Sequence, residues 1–149
     1  FAGLICADVI HYQNFNLILA HGGGVLPTLA GRLETLGPWP LGWADNPQHV
    51  TTDEMHETFA RLYYDTALAG TAHSLDPVLD VTTPDHILYG ADFGAPCTYI
   101  DVCQTHYDAV CNNQRMMPAE REAIGRNALK LFPKFAKRIA AAAVRAAAE

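Results

Sequence analysis

The chain of 149 residues is half hydrophobic and 17% charged, which suits a packed α/β core, and its formal net charge is −6. With no basic cluster ahead of the carboxyl-terminal helix, nucleic-acid binding has no electrostatic footprint, and the apolar runs are too short for a membrane span. Cys6, Cys97, Cys103 and Cys111 lack Cys-x-x-Cys spacing and read as reduced thiols, small buried hydrophobes of a cytosolic protein.

In chain order, residues 1–12 read as the end of an amphipathic helix, with Leu4, Ile5, Val9 and Tyr12 on one side. Residues 16–20 are mainly apolar and run into His21, with Gly22, Gly23 and Gly24 directly behind. Such a run bounded by a turn signal reads as a strand buried on both faces. The glycines remove side chains beside the imidazole, so that backbone or ligand can approach it. The same triplet before a helix invites a phosphate-site reading. That signal is weak without G-x-G-x-x-G or a Walker lysine. Residues 25–36 should be helical, with Leu26, Leu29, Ala30 and Leu33 at helical spacing. Pro27 is tolerated because it falls in the first turn. Residues 37–46 form a loop that carries Trp39 and Trp43. Thr51 and Glu54 match a capping box that starts a helix ending near Arg61. Residues 62–68 are a second strand candidate with Asp65 inside it, followed by a helix over 74–81. Residues 86–93 are a third, reaching Asp92 and Phe93, and a helix over 99–111 comes next. Pro118 opens another helix at its first position. The alanine-rich tail, 139–149, has high helix propensity but little apolar bulk to hold it down.

Strands alternating with helices imply parallel pairing through right-handed crossovers. All three carboxyl ends then lie on one rim, where α/β sheets and (β/α)₈ barrels build their sites. His21 and Asp92 meet there. A carboxylate at the end of an apolar strand is costly without a cation or donors, so Asp92 reads as a metal ligand or as the cap of the next turn. His21 is a direct ligand, a proton carrier titrating near neutral pH, or a satisfied strand-end residue. Arg32, two helical turns beyond the glycines, has the reach to pair a substrate carboxylate and equally well reads as a solvated charge. Trp39 and Trp43 offer flat apolar area to an aromatic ring, although packing under a long loop is their commoner use. Phe93 reads as part of a pocket floor. Asp65 suits a partner of backbone or cation at least as well as catalysis, and His73 reads as a surface residue.

Four motifs now stand in order: Ala20-His21-Gly22-Gly23-Gly24 with Leu26-Pro27 and Gly31-Arg32; Tyr63-Tyr64-Asp65-Thr66-Ala67-Leu68; Asp85-His86-Ile87-Leu88-Tyr89-Gly90-Ala91-Asp92; and Asn127-Ala128-Leu129-Lys130-Leu131-Phe132. Together they resemble the amidohydrolase-related family that includes aminocarboxymuconate-semialdehyde decarboxylase and γ-resorcylate decarboxylase. The match covers about residues 10–135. It implies the last three βα units of a metal-dependent (β/α)₈ barrel, a fold of about 250 residues when whole. The family's metal site begins with a His-x-His pair, and none of the seven histidines here are two apart. The expectation is therefore one partial domain over 1–149, with a barrel portion at 1–135 and a carboxyl-terminal helix at 136–149. It would be the carboxyl-terminal part of a longer protein or a truncated gene product. The resemblance implies that Asp92 is a ligand to a divalent metal, usually zinc, and that His21 contacts the metal-bound water as general acid/base. It implies a metal-dependent non-oxidative decarboxylase acting on an aromatic or unsaturated carboxylic acid, with Arg32, Trp39 and Phe93 as substrate contacts. A hydrolase of a lactone, ester or amide uses the same residues, and an inactive fragment is the third reading. The expected partner is a small carboxylic acid, and a homodimer of the intact protein is compatible with it.

Overall fold

The structure, a computed structural model, describes residues 9, 12, 14–36, 50–96 and 98–147. The helix expected over 1–12 lies almost wholly outside the described residues, as do Trp39, Trp43, Cys6 and Cys97. Three short strands, β1 (Ile18–Leu19), β2 (Tyr63–Asp65) and β3 (Ile87–Leu88), form a parallel sheet in the order β1-β2-β3. Between and after them run α1 (Leu26–Leu36), α2 (Thr52–Arg61), α3 (Ala72–Val81), α4 (Ile100–Cys111), α5 (Pro118–Leu131) and α6 (Pro133–Ala146). The strands are shorter than the apolar runs that hold them. Outside the ladder, the chain bends into turns at 21–24 and 66–69.

Local chemistry sets the helix ends. The Thr51 amide donates to Glu54 Oε2 at 2.8 Å, and the Glu54 amide donates to Thr51 Oγ1 at 3.2 Å, which completes the capping box at the start of α2. Pro118 and Pro133 each occupy a first helical position, where the missing N–H costs nothing. The tail helix therefore begins at Pro133, ahead of its alanine run, and none of its described residues is buried.

The alternation along β2 gives the sheet two unequal faces. Tyr64 is fully buried against the helices, while Tyr63 and Asp65 on the other face are half-buried. Met55 and Phe59 of α2, Leu75 and Val78 of α3, and Ile124 of α5 pack with Tyr64 and Ile87 in one cluster. The Tyr64 hydroxyl donates to the Phe59 carbonyl at 2.9 Å, and burial pushes its pKa well above the usual phenol range. β3 is buried, as its apolar run suggests, but β1 is half-buried rather than enclosed on both faces.

The fourth motif has a structural explanation. Asn127 on α5 donates from Nδ2 to the Pro84 carbonyl at 2.9 Å and the Ile87 carbonyl at 2.8 Å, which ties that helix to the start of β3. At the same end, the Tyr63 and His86 rings stack 4.5 Å apart, and His86 Nδ1 donates to the Leu62 carbonyl at 3.1 Å.

Gly70, after β2, touches α4 directly. Its amide donates to His106 Nδ1 at 3.0 Å, and a Cβ placed on it would stand 2.4 Å from the His106 carbonyl oxygen. Because backbone is the obstacle, Gly70→Ala is expected to cost at least the roughly 1–3 kcal/mol of an overpacked core. Urea unfolding should show a lower midpoint at unchanged slope.

Candidate functional site at the carboxyl rim of the sheet

The register builds the rim. Leu19 pairs with Tyr64 and Asp65 with Leu88, so the chain leaving β1 passes beside Asp65. There the His21 amide donates to Asp65 Oδ1 at 2.8 Å. The same oxygen accepts the Ala67 amide at 3.1 Å. His21 Nδ1 lies 3.0 Å from the Ala67 carbonyl oxygen, which can only accept, so Nδ1 carries the hydrogen. In the neutral ring Nε2 is then the basic nitrogen, and His21 as a residue is exposed.

The backbone at the rim is unusual. Among the described residues, three that are not glycine have left-handed φ: His21 at 56°, Leu68 at 51° and Asp92 at 56°. Each lies just beyond a strand's carboxyl end. Such conformations are uncommon outside glycine and cluster at functional sites, where surrounding structure enforces them. Here the enforcing bonds are visible around His21. The Gly-Gly-Gly run forms this turn. Gly22 and Gly23 have φ of 63° and 77°, and a Cβ on them would come within 3.0 Å of the Ala69 Cβ and of the Tyr64 ring, respectively. Gly24, at φ 60°, has open space beside it. The approach that glycine permits is by protein side chains at the first two positions.

Asp92 is partly exposed. Its Oδ2 accepts from Thr98 Oγ1 at 3.2 Å and its carbonyl accepts the Ala95 amide at 3.3 Å. It thus shapes the turn that follows while its carboxylate stays accessible. Phe93 is 71% exposed and lines a mostly apolar cleft of about 330 Å³ with Tyr89, Ala91, Ile100, Gln104 and Tyr107. The Tyr89 and Tyr107 rings meet edge to face at 5.8 Å in its wall. Arg32 stands exposed on α1, and His73 is exposed near the start of α3. His21 and Asp65 meet at the rim, Asp92 stands beyond the end of β3, and Trp39 lies outside the described residues. Among the described residues, no three His, Cys, Asp or Glu side chains converge to hold a metal ion. The accessible carboxylate of Asp92 is a donor type that suits such an ion, and alone it falls short of the three protein ligands of a catalytic zinc site. Of the described helices, none is long and apolar enough to cross a membrane.

No family model matches the chain. It is 30% identical over 134 residues to a 6-methylsalicylic acid decarboxylase of Penicillium expansum, covering 83% of this chain and 36% of that one. The chain thus spans about a third of the length of the curated relatives it matches. Among solved structures, an amidohydrolase II superposes with a TM-score of 0.63 at 22% identity, over 80% of this chain and 36% of that one. A dihydroxybenzoic acid decarboxylase from Polaromonas, with bound manganese and the inhibitor 2-nitroresorcinol, superposes with a TM-score of 0.62 at 21% identity. It shares 89% of this chain and 41% of its own. The parallel βα units described above are compatible with part of such a barrel. In sequence and in fold, over most of its own length and about a third of theirs, the chain resembles the amidohydrolase-related decarboxylases.

Proposed function

We propose that the protein carrying this chain is a metal-dependent, non-oxidative decarboxylase of a hydroxylated aromatic acid, and that these residues are the last three βα units of its barrel. The observation that carries the reading is the His21 ring, set on an exposed residue at the rim and bonded through Nδ1 to the Ala67 carbonyl. The kinship with a 6-methylsalicylic acid decarboxylase supports the substrate class.

In this reading His21, once protonated, gives the Nε2 proton to the ring carbon that bears the carboxylate. The bond from that carbon to the carboxylate then breaks, its electron pair restores the aromatic ring, and CO₂ leaves. An ortho hydroxyl assists by enriching that carbon in electrons. The Ala67 carbonyl keeps its hydrogen bond from Nδ1 in both charge states, so the ring need not turn between them. Exposure lets His21 recover a proton from solvent. Asp92 is this chain's contribution to a divalent metal site, and zinc suits a carboxylate set among imidazoles. When bound, the cation supplies positive charge to the substrate carboxylate and its neighbouring oxygen. Phe93 and the cleft beside it offer apolar area for the ring, and Arg32 is the candidate for a second contact to the carboxylate.

Incubation with 6-methylsalicylate labelled at the carboxyl carbon tests the assignment. Labelled CO₂ and 3-methylphenol are the expected products. Hydrolysis of a lactone, ester or amide without CO₂ release from any hydroxybenzoate would place the chain with hydrolases instead.

A further inference from the structure

We propose that Asp65 is a positioning residue that sets the tautomer and the orientation of His21. The proposal rests on the reading of His21 as the proton carrier. Its observation is a closed circuit of three hydrogen bonds. Asp65 Oδ1 accepts the amides of His21 at 2.8 Å and Ala67 at 3.1 Å, and the His21 ring returns to the Ala67 carbonyl at 3.0 Å. One carboxylate oxygen thus grips the two residues that the imidazole bond joins.

The energetics favour an orienting role. His21 is held at φ 56°, a strained conformation that persists only where neighbours enforce it. One Asp65 oxygen accepts both amides at once, as a carboxamide oxygen with two lone pairs also can. The bond from the His21 amide offsets that strain where it arises. The bond from the Ala67 amide fixes the peptide whose carbonyl the ring must find. Without the carboxylate, the 66–69 turn and the His21 turn lose their shared anchor. The imidazole is then free to take its other tautomer, with the hydrogen on Nε2 and no basic nitrogen toward the rim.

The roles available to a strand-end carboxylate separate by substitution. Asn keeps an acceptor oxygen and removes the charge, Glu keeps the charge and displaces the acceptor by a methylene, and Ala removes both. Nitrogen-15 NMR of the His21 ring and steady-state decarboxylation of 6-methylsalicylate are measured together on the protein that carries the chain. Wild type and Asp65→Asn should show His21 protonated at Nδ1. Asp65→Ala should show a mixture of tautomers, with kcat lower by about 10- to 100-fold, the usual cost of losing an orienting partner, and KM little changed. Should Asp65→Ala fail to fold, Asp65→Glu serves in its place, with the same mixture expected. An unmoved tautomer in the folded Ala or Glu variant overturns the proposal. So does an Asn variant as impaired as Ala, because the charge itself would then be what matters. The ring spectrum needs no turnover, so it decides the role of Asp65 even if His21→Ala proves fully active and the catalytic reading fails.

Discussion

His21→Ala is expected to lower kcat about 10²- to 10⁴-fold, the contribution usual for a general acid or base, while metal content and the melting curve stay near wild type. Among the described residues the ring bonds only from Nδ1 to the Ala67 carbonyl, so its removal releases a backbone acceptor at an exposed site and little packing. Metal analysis alongside the kinetics checks the division of labour. If metal and activity fall together, His21 is a ligand and the proton must come from elsewhere. His21→Gln provides a second reading, because it keeps a polar group at the rim and cannot carry a proton between water and carbon.

Asp92→Asn should abolish metal binding with the fold intact. Asparagine tolerates the left-handed φ of 56°, and its side-chain oxygen can still accept from Thr98, so the turn survives. What is lost is the negative charge. The expected drop in affinity for zinc or manganese exceeds the 10- to 100-fold or so that removal of a merely supporting partner costs. Equilibrium dialysis against each ion measures it, and circular dichroism verifies the fold. Full occupancy in the variant would leave Asp92 as a turn cap.

The sequence made the rim legible but not its wiring. Apolar runs separated by helical periodicity give three parallel strands, and their common end follows from that topology. His21 and Asp92 were therefore within reach of pattern reasoning. The Thr51–Glu54 box was equally local, and it formed as read. Asp65 reads from the sequence as a partner of backbone or cation, and it is a backbone partner here, but which backbone it holds is not local. Its bond to the His21 amide spans 44 positions and depends on the register of β1 against β2, which no local propensity encodes. The left-handed turns escaped for a similar reason. Histidine and aspartate carry no glycine-like signal, and only tertiary bonds hold them there. The triple glycine admits backbone or ligand on the sequence alone, and at Gly22 and Gly23 the neighbours are Ala69 and Tyr64.

The left-handed backbone at His21 and Asp92 bears on how this gene would drift. Glycine would relieve both positions, and stability alone would favour the exchange. Retained function opposes it, in the familiar conflict between activity and stability. A duplicate released from catalysis would shed the imidazole and the carboxylate early, since losing them makes the protein sturdier. Glycine at 21 or 92 in a sister sequence with an unchanged core would therefore mark a copy that has left the reaction behind, and histidine with aspartate would mark one still under selection to perform it.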